Sequence, residues 1–387
     1  MCFDFFPQIG GAHHWLYEVY RRWPTEVRLL TVQRAADRDE AERQSAFDIR
    51  GHGELRIFRS AQPQREINLL DVRCLAWLWS HVRAINRLAG AGTQRVHALR
   101  AFPEGFVGYL FRRCYRRSAR LITYAHGEEV LIARTSRQLR WMAQRAYQGS
   151  DLVIANSENT RRLVLELCPA ARVTVIHPGV DVAAFACDTR VVREYRARWN
   201  WPADTVIVGT LARMEPRKNH AMVIRAVSEL RAQGLPAAYV CAGEGPEKDR
   251  LMKLAAELRL TPWVHFPGQV PEQEKALFFL ASDMFAMPSI RRGEMIEGFG
   301  IVFIEAAAAG LPAICGNSGG QAEAVLDGRT GLVVDGGDLA QVKAAIARLA
   351  TDQGLRREMG RSAKAWAARH DWQEVARSTV EEISRCG

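Results

Sequence analysis

The chain alternates short apolar runs with longer stretches in which apolar residues recur every three or four positions. Apolar runs of strand length occur at 27–32, 54–58, 96–99, 121–125 and 205–208, and the opening residues MCFDFF form another. The stretch 71–88 has helical spacing. Its predicted buried face consists of Cys74, Leu75, Leu78, Val82 and Ile85. Strands that alternate with helices predict an α/β fold with parallel, Rossmann-like sheets.

A second amphipathic stretch, 106–117, has two interpretations. Its sequence FVGYLFRRCYRR sets apolar side chains against four arginines. A basic amphipathic helix of this kind can lie on an anionic membrane, and it can equally be a domain helix whose apolar side lies in the core. In the preceding helix, Trp77 and Trp79 are interpreted as packing residues.

Length and composition bound the class of protein. The 387 residues are enough for two domains. The sequence contains no run of about eighteen apolar residues and its start lacks the basic region of a signal peptide, so a cytoplasmic protein is expected. The eight cysteines are scattered without metal-like spacing and are expected to be reduced thiols.

The formal net charge of +10 is concentrated in the first half of the chain. Residues 1–185 contain 27 arginines, no lysine and 18 acidic residues, so nearly all of the excess lies there. Such a basic half attracts anionic partners, namely nucleotide diphosphates, acidic glycans or an anionic membrane face. The charge is not accompanied by a nucleic-acid-binding motif, and nucleic acid is therefore not expected as a partner.

Glycines, acidic residues and a helix signal meet in the stretch 292–310, RGEMIEGFGIVFIEAAAAG. Its Gly-Phe-Gly sequence permits a tight turn, and a helix is predicted to begin near Phe299. The N–H groups and the positive dipole end of such a helix suit a phosphate or diphosphate. Glu297 precedes the helix and Glu305 lies in it, so both carboxylates are expected to reach one extended ligand at its amino end. This arrangement fits a nucleotide sugar.

Two glutamates separated by seven residues around Gly-Phe-Gly resemble the signature of the family 4 retaining glycosyltransferases. The resemblance extends from Gly10 to about Trp372. It implies a GT-B fold, an α/β architecture of two Rossmann-like domains that face each other across a cleft. It also implies that Glu297 contacts hydroxyls of the donor sugar and that Glu305 contacts the ribose of the nucleotide.

The resemblance implies further site residues in both halves of the chain. Arg213 and Lys218, in a loop after a predicted strand, resemble the pair that clamps the donor diphosphate, and cations there would neutralise a departing phosphate. His126, at the end of a predicted strand, resembles a residue that lines the pocket near the donor sugar, and its role stays open. The other donor-binding candidates lie in turns or at the start of a helix: Gly10, Gly11, Gly245, Phe299 and Gly300.

The same pattern divides the chain into an acceptor-side domain at 1–185, a donor domain at 203–370 and a terminal helix at 371–387. This last helix is a candidate to pack back on the first domain. The sequence has no Asp-x-Asp in a suitable loop, so neither a metal nor another cofactor is expected. Positive side chains would take the place of the cation.

The expected reaction is transfer of a hexose from a nucleotide-diphosphate sugar with retention at the anomeric carbon. The stretch 297–323 is similar to bacterial mannosyltransferases that build phosphatidylinositol mannosides, which favours GDP-mannose and a lipid-linked or glycan acceptor of the cell envelope. UDP-linked donors stay open. The protein would then work in the cytoplasm or peripherally on the inner face of the membrane. The alternatives are a retaining phosphorylase of the same fold, a nucleotide-sugar epimerase and a non-catalytic sugar-binding protein.

Overall fold

The computed structural model describes residues 1–3, 5, 10–32, 38–48, 51–60, 67–90 and 92–386. The chain divides into two units, Met1–Pro178 together with Trp372–Gly387, and Gly179–Asp371. The first boundary therefore lies before the predicted residue 185. Residues 179–185 belong to the second unit because the Val180 N–H donates to the His370 carbonyl (2.8 Å) and Phe185 packs in the core of that unit.

The first unit alternates helices with parallel strands. Its elements up to residue 178 are α1 (Gly11–Tyr20), β1 (Val27–Val32), α2 (Arg38–Asp48), β2 (Leu55–Ser60), α3 (Val72–Leu88), β3 (Arg95–Ala98), α4 (Phe106–Cys114), β4 (Arg120–Ala125), α5 (Glu128–Thr135), α6 (Arg137–Gln148), β5 (Leu152–Ala155), α7 (Glu158–Leu167) and β6 (Val173–Val175). The strands form two parallel sheets, one of β1 and β2 and one in the order β3-β4-β5-β6.

The structure describes only part of the predicted opening strand, because positions 4 and 6–9 lie outside the described residues. The first residues make strand-like hydrogen bonds without forming a regular strand. The N–H of Cys2 donates to the Leu30 carbonyl (3.1 Å), and the N–H of Leu99 donates to the Met1 carbonyl (3.0 Å). The start of the chain therefore lies between β1 and β3.

The structure decides between the two interpretations of α4 and confirms the predicted buried face of α3 except at Leu75. In α4, Phe106, Val107 and Phe111 are buried in the core, so this helix is a domain helix and its apolar side is not available to a membrane. In α3, Leu75 was predicted to be buried and Trp79 to pack, yet they are 46% and 39% exposed. Across the ranges that the structure describes, no helix is both long and apolar enough to cross a membrane.

The second unit repeats the alternation of helix and strand. Its elements are α8 (Thr189–Ala197), β7 (Val206–Leu211), α9 (His220–Ala232), β8 (Ala237–Ala242), α10 (Lys248–Glu257), β9 (Val264–Gly268), α11 (Glu272–Ala281), β10 (Met284–Met287), α12 (Ile301–Ala308), β11 (Ala313–Gly316), α13 (Gln321–Ala324), β12 (Gly331–Val334), α14 (Leu339–Thr351) and α15 (Gln353–Ala367). Strands β8, β10 and β11 are buried at every position, which is why they read as continuous apolar runs.

The six strands of the second unit form one parallel sheet in the order β12-β11-β10-β7-β8-β9. The chain enters at β7, moves outward to β9, and then returns to β10 on the other side of β7. Strands β7 and β10 are direct neighbours, with Val208 opposite Met284 and Gly209 opposite Phe285. Their carboxyl ends mark a topological switch point, the position at which open α/β sheets bind ligands.

The last helix, α16 (Trp372–Ser384), belongs to the first unit. Trp372 is 1% exposed and joins a core cluster that contains residues of α1, β1 and β4. The ring of His14 in α1 lies edge-on to Trp372, with centroids 5.5 Å apart. The first unit is therefore built from both ends of the chain.

Candidate active site

Of the two glutamates predicted in the stretch 292–310, Glu297 lies in a loop at the switch point of the second unit and Glu305 lies in the helix α12 that follows. The loop after β7 (212–219) and the loop after β10 (288–300) leave neighbouring strands at the same edge of the sheet. The N–H of Ile290 donates to the carbonyl of Arg217 (2.9 Å), which joins the two loops. Side chains from both loops can therefore act on one ligand outside this edge.

Glu297 forms a buried ion-pair cluster with two cations of the loop after β7. Its Oε2 accepts a hydrogen bond from Arg217 Nη1 at 3.0 Å and contacts Lys218 Nζ. All three side chains are 10% to 15% exposed. Burial alone would raise the pKa of Glu297, but the charges of Lys218 and Arg217 outweigh burial and lower it. Glu297 is therefore a carboxylate in a fixed orientation.

Lys218 takes its position because the loop after β7 ends in a tight turn. Residues Pro216–Lys218 form one turn of 3-10 helix, and Asn219 follows in the left-handed region, with φ +62°, which asparagine tolerates better than most residues. The Asn219 side-chain amide donates to the carbonyls of Pro288 (3.1 Å) and Gly336 (2.6 Å). These bonds hold the turn against the loops after β10 and β12.

The second cation that contacts Glu297 beside Lys218 is Arg217, whereas the predicted contact of Arg213 with a donor diphosphate stays a prediction. Arg213 is 71% exposed and lies 3.3 Å from Glu215. Arg217, which the sequence analysis did not single out, lies 3.0 Å from both Glu215 and Glu297. Two adjacent cations in the sequence are a weak signal, because only the 3-10 turn directs both of them toward one carboxylate.

Helix α12 begins at Ile301, slightly later than the predicted start at Phe299. Gly300 is its N-cap residue, with φ +86°, and a Cβ there would lie 2.6 Å from the ring of Phe303. Phe299 is 2% exposed and stacks on His370, with centroids 6.3 Å apart. The side chain of Phe299 therefore serves the core, and only its backbone is available to a donor.

Glu305 is held by a lysine of a neighbouring helix. Its Oε1 lies 2.8 Å from Nζ of Lys275 in α11, and the same Nζ lies 2.6 Å from Glu272. Burial lowers the pKa of Lys275, but the two carboxylates outweigh burial, and the net shift is upward. Lys275 was missed in the sequence because only the packing of α11 against α12 brings it to Glu305. Glu297 and Glu305 thus have different cationic partners.

Two glycine turns pack directly on the loops that carry these side chains. Gly319 has φ +74°, and a Cβ there would lie 2.3 Å from the carbonyl oxygen of Glu297. The N–H of Gly320 donates to that same oxygen (2.9 Å). At Gly245, a Cβ would lie 2.5 Å from the carbonyl oxygen of Met214. A larger residue at position 319 or 245 would therefore displace the backbone of the site.

The charged groups at the site are two carboxylates and three cationic side chains. They are the carboxylates of Glu297 and Glu305 and the cations of Arg217, Lys218 and Lys275. Within the part of the chain that the structure describes, no group of three or more His, Cys, Asp or Glu side chains is arranged to hold a metal ion.

His126 belongs to the first unit, at the carboxyl end of β4. Its Nε2 donates to the Leu99 carbonyl (2.9 Å), and its ring lies edge-on to Trp15 of α1, with centroids 5.6 Å apart. Burial, followed by the charge of Arg100, lowers the pKa of His126 to about 3. The ring is therefore neutral near pH 7, and Nδ1 carries a lone pair. His126 can accept a hydrogen bond from a hydroxyl but cannot act as an imidazolium acid.

Gly10 and Gly11 stand at the start of α1, the helix that contacts His126 through Trp15. Gly11 is the first helical residue, and the Gly10 carbonyl accepts from the His14 N–H (3.0 Å). Gly10 has extended backbone, so its lack of a side chain matters for space: a Cβ there would lie 3.2 Å from a ring nitrogen of His13. The residues 6–9 of the predicted loop lie outside the described ranges.

Glu129 is a buried acid beside His126 for which the sequence analysis gave no role. Its Oε1 accepts a hydrogen bond from the backbone N–H of His126 (2.7 Å). Burial raises the pKa of Glu129 to about 7, although this hydrogen bond acts in the opposite direction. The carboxyl group therefore changes its charge near neutral pH.

Solved structures share the architecture of this chain. The chain matches HepE of Anabaena, solved in complex with UDP and glucose, with a TM-score of 0.80 and 20% identity over 99% of this chain and 98% of that chain. It matches WaaG, a glycosyltransferase involved in lipopolysaccharide biosynthesis, with a TM-score of 0.70 and 15% identity over 99% and 98% of the two chains. These two structures and the two Rossmann-like units show that the chain has the GT-B fold.

Sequence comparisons define the family. The model "Glycosyltransferase Family 4" matches residues 9–184, and "Glycosyl transferases group 1" matches residues 191–366. The GDP-mannose-dependent alpha-(1-6)-phosphatidylinositol monomannoside mannosyltransferase of Mycolicibacterium smegmatis is 36% identical over 70% of this chain and 71% of its own. The D-inositol 3-phosphate glycosyltransferase of Corynebacterium jeikeium is 29% identical over 81% and 78%. The chain belongs to the family 4 glycosyltransferases, as the sequence predicted.

The pH dependence of stability tests the environment of Glu129. Its pKa is raised from 4.5 to about 7, so between these values the folded protein keeps a proton that the unfolded chain releases. Below pH 4.5 the contribution of Glu129 to the free energy of unfolding therefore does not change with pH. That contribution falls as pH rises from 4.5 toward 7. The variant Glu129→Gln keeps an acceptor for the His126 N–H but has no ionisable group at this position. Between pH 5 and 8, the free energy of unfolding of wild type is expected to fall by about 1–3 kcal/mol more than that of the variant.

Urea unfolding at both pH values measures this difference. The matched control is Glu128→Gln, a substitution of the neighbouring, less buried glutamate, which should respond to pH as wild type does. If wild type and Glu129→Gln lose equal stability between the two pH values, the described burial of this carboxyl is wrong.

Proposed function

We propose that this chain is a retaining glycosyltransferase that moves a hexose from a nucleotide-diphosphate sugar to a lipid-linked or glycan acceptor. The observation that carries the proposal is the cluster of Glu297, Lys218 and Arg217 at the switch point of the second unit. A carboxylate beside cations complements a sugar joined to a diphosphate. GDP-mannose is favoured because a mannosyltransferase named for that donor is 36% identical. A UDP-sugar is the alternative, since HepE was solved with UDP and glucose.

The donor diphosphate is proposed to bind between Lys218 and Arg213. Lys218 has three N–H donors, so it can contact Glu297 and a phosphate oxygen at the same time. The exposed guanidinium of Arg213 can reach a phosphate from the outer side. Together with the N–H groups at the start of α12, these cations would take up the negative charge of the departing diphosphate. The proposed reaction therefore requires no metal ion or other cofactor.

Glu297 is proposed to accept hydrogen bonds from hydroxyls of the donor sugar and not to attack the sugar. Its pKa is lowered by two cations that hold Oε2, and such pairing reduces the nucleophilicity of a carboxylate. Retention would instead follow from attack on the same face from which the diphosphate leaves. The acceptor oxygen forms the new bond to the anomeric carbon, the bond to the phosphate oxygen breaks, and the acceptor proton passes to the leaving diphosphate.

Glu305 is proposed to accept hydrogen bonds from the ribose hydroxyls. Lys275, 2.8 Å away, holds that carboxylate in a fixed orientation. In the first unit, the neutral ring of His126 is proposed to accept a hydrogen bond from a sugar hydroxyl. At Gly10 and Gly11 the absence of side chains would allow a ligand to approach the backbone.

Binding of nucleotide sugars to wild type and Glu305→Ala tests the donor assignment. At a hundredfold excess over its dissociation constant, a donor stabilises the folded protein by about 2.7 kcal/mol, which corresponds to a rise in Tm of several degrees. GDP-mannose, UDP-glucose, UDP-N-acetylglucosamine and the free diphosphates are compared by thermal shift with and without EDTA. One nucleotide sugar is expected to raise the Tm of wild type, and to raise that of Glu305→Ala much less.

The control variant is Glu257→Ala, which replaces a helical glutamate that is 60% exposed. Its ligand-induced shift should equal that of wild type. A shift that disappears in EDTA would contradict the metal-independent site. Stabilisation by orthophosphate and sugar phosphates alone would favour a phosphorylase.

The first unit is also proposed to dock on an anionic membrane, where a lipid-linked acceptor would be found. The argument rests on exposed apolar side chains along the outer face of α3 and the segment before it: Leu70, Val72, Leu75 and Trp79. Arg83 and Arg87 continue the same face and are also exposed. An apolar row that continues into arginines suits the boundary between acyl chains and anionic headgroups.

Vesicle binding tests this membrane surface. Wild type is expected to sediment with vesicles that contain phosphatidylglycerol at low salt, less with neutral phosphatidylcholine, and less at high salt, where charges are screened. The double variant Leu75→Ser, Trp79→Ser should lose most of the binding. The control, Trp141→Ser, changes an exposed tryptophan of α6 and should bind as wild type does. Equal losses in both variants, or no binding at low salt, would contradict the proposal.

A further inference from the structure

Gln321 is a fully buried polar residue to which the proposed reaction gives no role. It is the first residue of the short helix α13, and its side chain is 0% exposed. Burial of a side-chain amide is costly unless the amide is hydrogen-bonded, and fully buried positions are more often apolar. The amide is therefore expected to have strong contacts that an apolar side chain could not replace.

Four backbone hydrogen bonds surround this amide. Its Oε1 accepts from the N–H groups of Ser289 (3.2 Å) and Gly316 (2.9 Å). Its Nε2 donates to the carbonyls of Ser289 (2.8 Å) and Ser318 (2.7 Å). A primary amide has two N–H donors and an oxygen that accepts two hydrogen bonds. The amide of Gln321 uses all of them, so its orientation is fixed.

The amide of Gln321 bridges β10 and β11 at the point where their direct pairing ends. The register of the two strands ends at Met287 opposite Cys315. The next residue of β11 is Gly316, whose N–H bonds to the amide instead of to β10. A Cβ at Gly316 would lie 2.3 Å from the Ser289 carbonyl oxygen and 3.0 Å from Nε2 of Gln321. The missing side chain at position 316 therefore leaves the space that the bridge occupies.

One end of this bridge leads to the cations beside Glu297. Ser289 precedes Ile290, whose N–H donates to the Arg217 carbonyl (2.9 Å). Nη1 of Arg217 lies 3.0 Å from Oε2 of Glu297. The amide thus connects, through the loop after β10, to a partner of the Glu297 carboxylate.

The other end of the bridge leads to the backbone of Glu297. The amide holds the carbonyl of Ser318, and two residues later the N–H of Gly320 donates to the Glu297 carbonyl (2.9 Å). Gly319 packs so closely on that carbonyl that a Cβ would lie 2.3 Å from its oxygen. A closed ring of contacts therefore links one side chain to both the backbone and the carboxylate of Glu297.

We propose that Gln321 is a positioning residue of the donor site, which sets the place of Glu297 relative to the hydroxyls of the donor sugar. The inference rests on the proposed function, in which Glu297 accepts hydrogen bonds from those hydroxyls. Gln321 acts through the loops after β10 and β11 and not by contact with the donor. Hydrogen bonds weaken steeply when their distance and angle depart from the optimum, so a small displacement of Glu297 would reduce the contribution of the sugar to binding.

This role predicts a selective loss of affinity. Replacement of Gln321 should weaken binding of a nucleotide sugar much more than binding of the free nucleoside diphosphate, which has no sugar to contact Glu297. The loop that carries Lys218 keeps anchors of its own, because the side chain of Asn219 donates to the carbonyls of Pro288 and Gly336. A general weakening of the site would instead affect both ligands equally.

Calorimetric titration of Gln321→Met and Gln321→Ala measures this selectivity. GDP-mannose is compared with GDP, and UDP-glucose with UDP. Gln321→Met fills the space without hydrogen bonds, whereas Gln321→Ala leaves a polar space in which water can bond to the same backbone groups. The alanine variant therefore gives the answer if the methionine variant does not fold. The Kd of the nucleotide sugar that wild type binds should rise about five- to tenfold, and that of its free diphosphate less than about threefold.

A double-substitution cycle distinguishes positioning from support of the fold. If Gln321 acts through Glu297, the combination of Glu297→Gln with either Gln321 variant should bind the nucleotide sugar no more weakly than Glu297→Gln alone, because effects within one network are not additive. The control is Gln341→Met, which removes an exposed amide of α14 that bonds to the Asp335 N–H and to Asp338. It should bind both ligands as wild type does.

Three results would overturn the inference and leave the proposed function intact. They are equal weakening of nucleotide sugar and free diphosphate, unchanged affinity for both in a folded Gln321 variant, and additive losses in the double variant. A nucleotide-sugar affinity that is the same in wild type and Glu297→Gln would contradict the proposed role of Glu297 itself, and the inference would fall with it.

Discussion

The buried carboxylate of Glu297 between Lys218 and Arg217 is the interaction on which the site of the second unit depends. Removing one partner of such a cluster leaves a poorly paired buried charge, which typically costs about 3–5 kcal/mol. The three side chains join the loops after β7 and β10, two neighbouring strands. The carbonyl of Glu297 connects the loop after β11 to these two loops, because it accepts a hydrogen bond from the Gly320 N–H. One charged cluster therefore fixes three loops at the edge of the sheet.

The same cluster prepares the site for the chemistry of a glycosyltransferase. Glu215 pairs with Arg213 and Arg217, so the connected cluster holds three cations and two carboxylates and is positive overall, which suits an incoming diphosphate. Its charges are held by protein contacts before a donor arrives, and preorganised charges need no rearrangement as negative charge develops on a leaving group. Lys275 plays a similar part for Glu305 at a second point of the site. Stability and proposed function thus rest on the same ion pairs.

The sequence was sufficient for both Rossmann-like units, because strands buried on two faces leave continuous apolar runs between helices. It also predicted that Glu297 and Glu305 lie at the start of one helix, since glycine turns and a helix signal mark that stretch. Lys218 was a candidate through the family resemblance, and the roles of all three residues toward a donor stay predictions. Arg217 and Lys275 could not be found in this way, because a 3-10 turn and the packing of two helices bring them to their carboxylates. The pattern of α3 predicted its buried face except at Leu75, whereas the pattern of α4 could not decide between the core and a membrane as the partner of its apolar side.

The claim that Lys218 serves both Glu297 and the donor diphosphate is tested most directly by calorimetric titration of nucleotides in EDTA. GDP and UDP are titrated into wild type, Lys218→Ala and the control Lys253→Ala, which changes a lysine that is 79% exposed. GMP and UMP, which lack the second phosphate, are titrated in parallel. Lys218→Ala should weaken binding of the preferred diphosphate by about tenfold to a hundredfold and should weaken binding of the monophosphate less. Lys253→Ala should bind both nucleotides as wild type does. Unchanged diphosphate affinity in folded Lys218→Ala would contradict the claim.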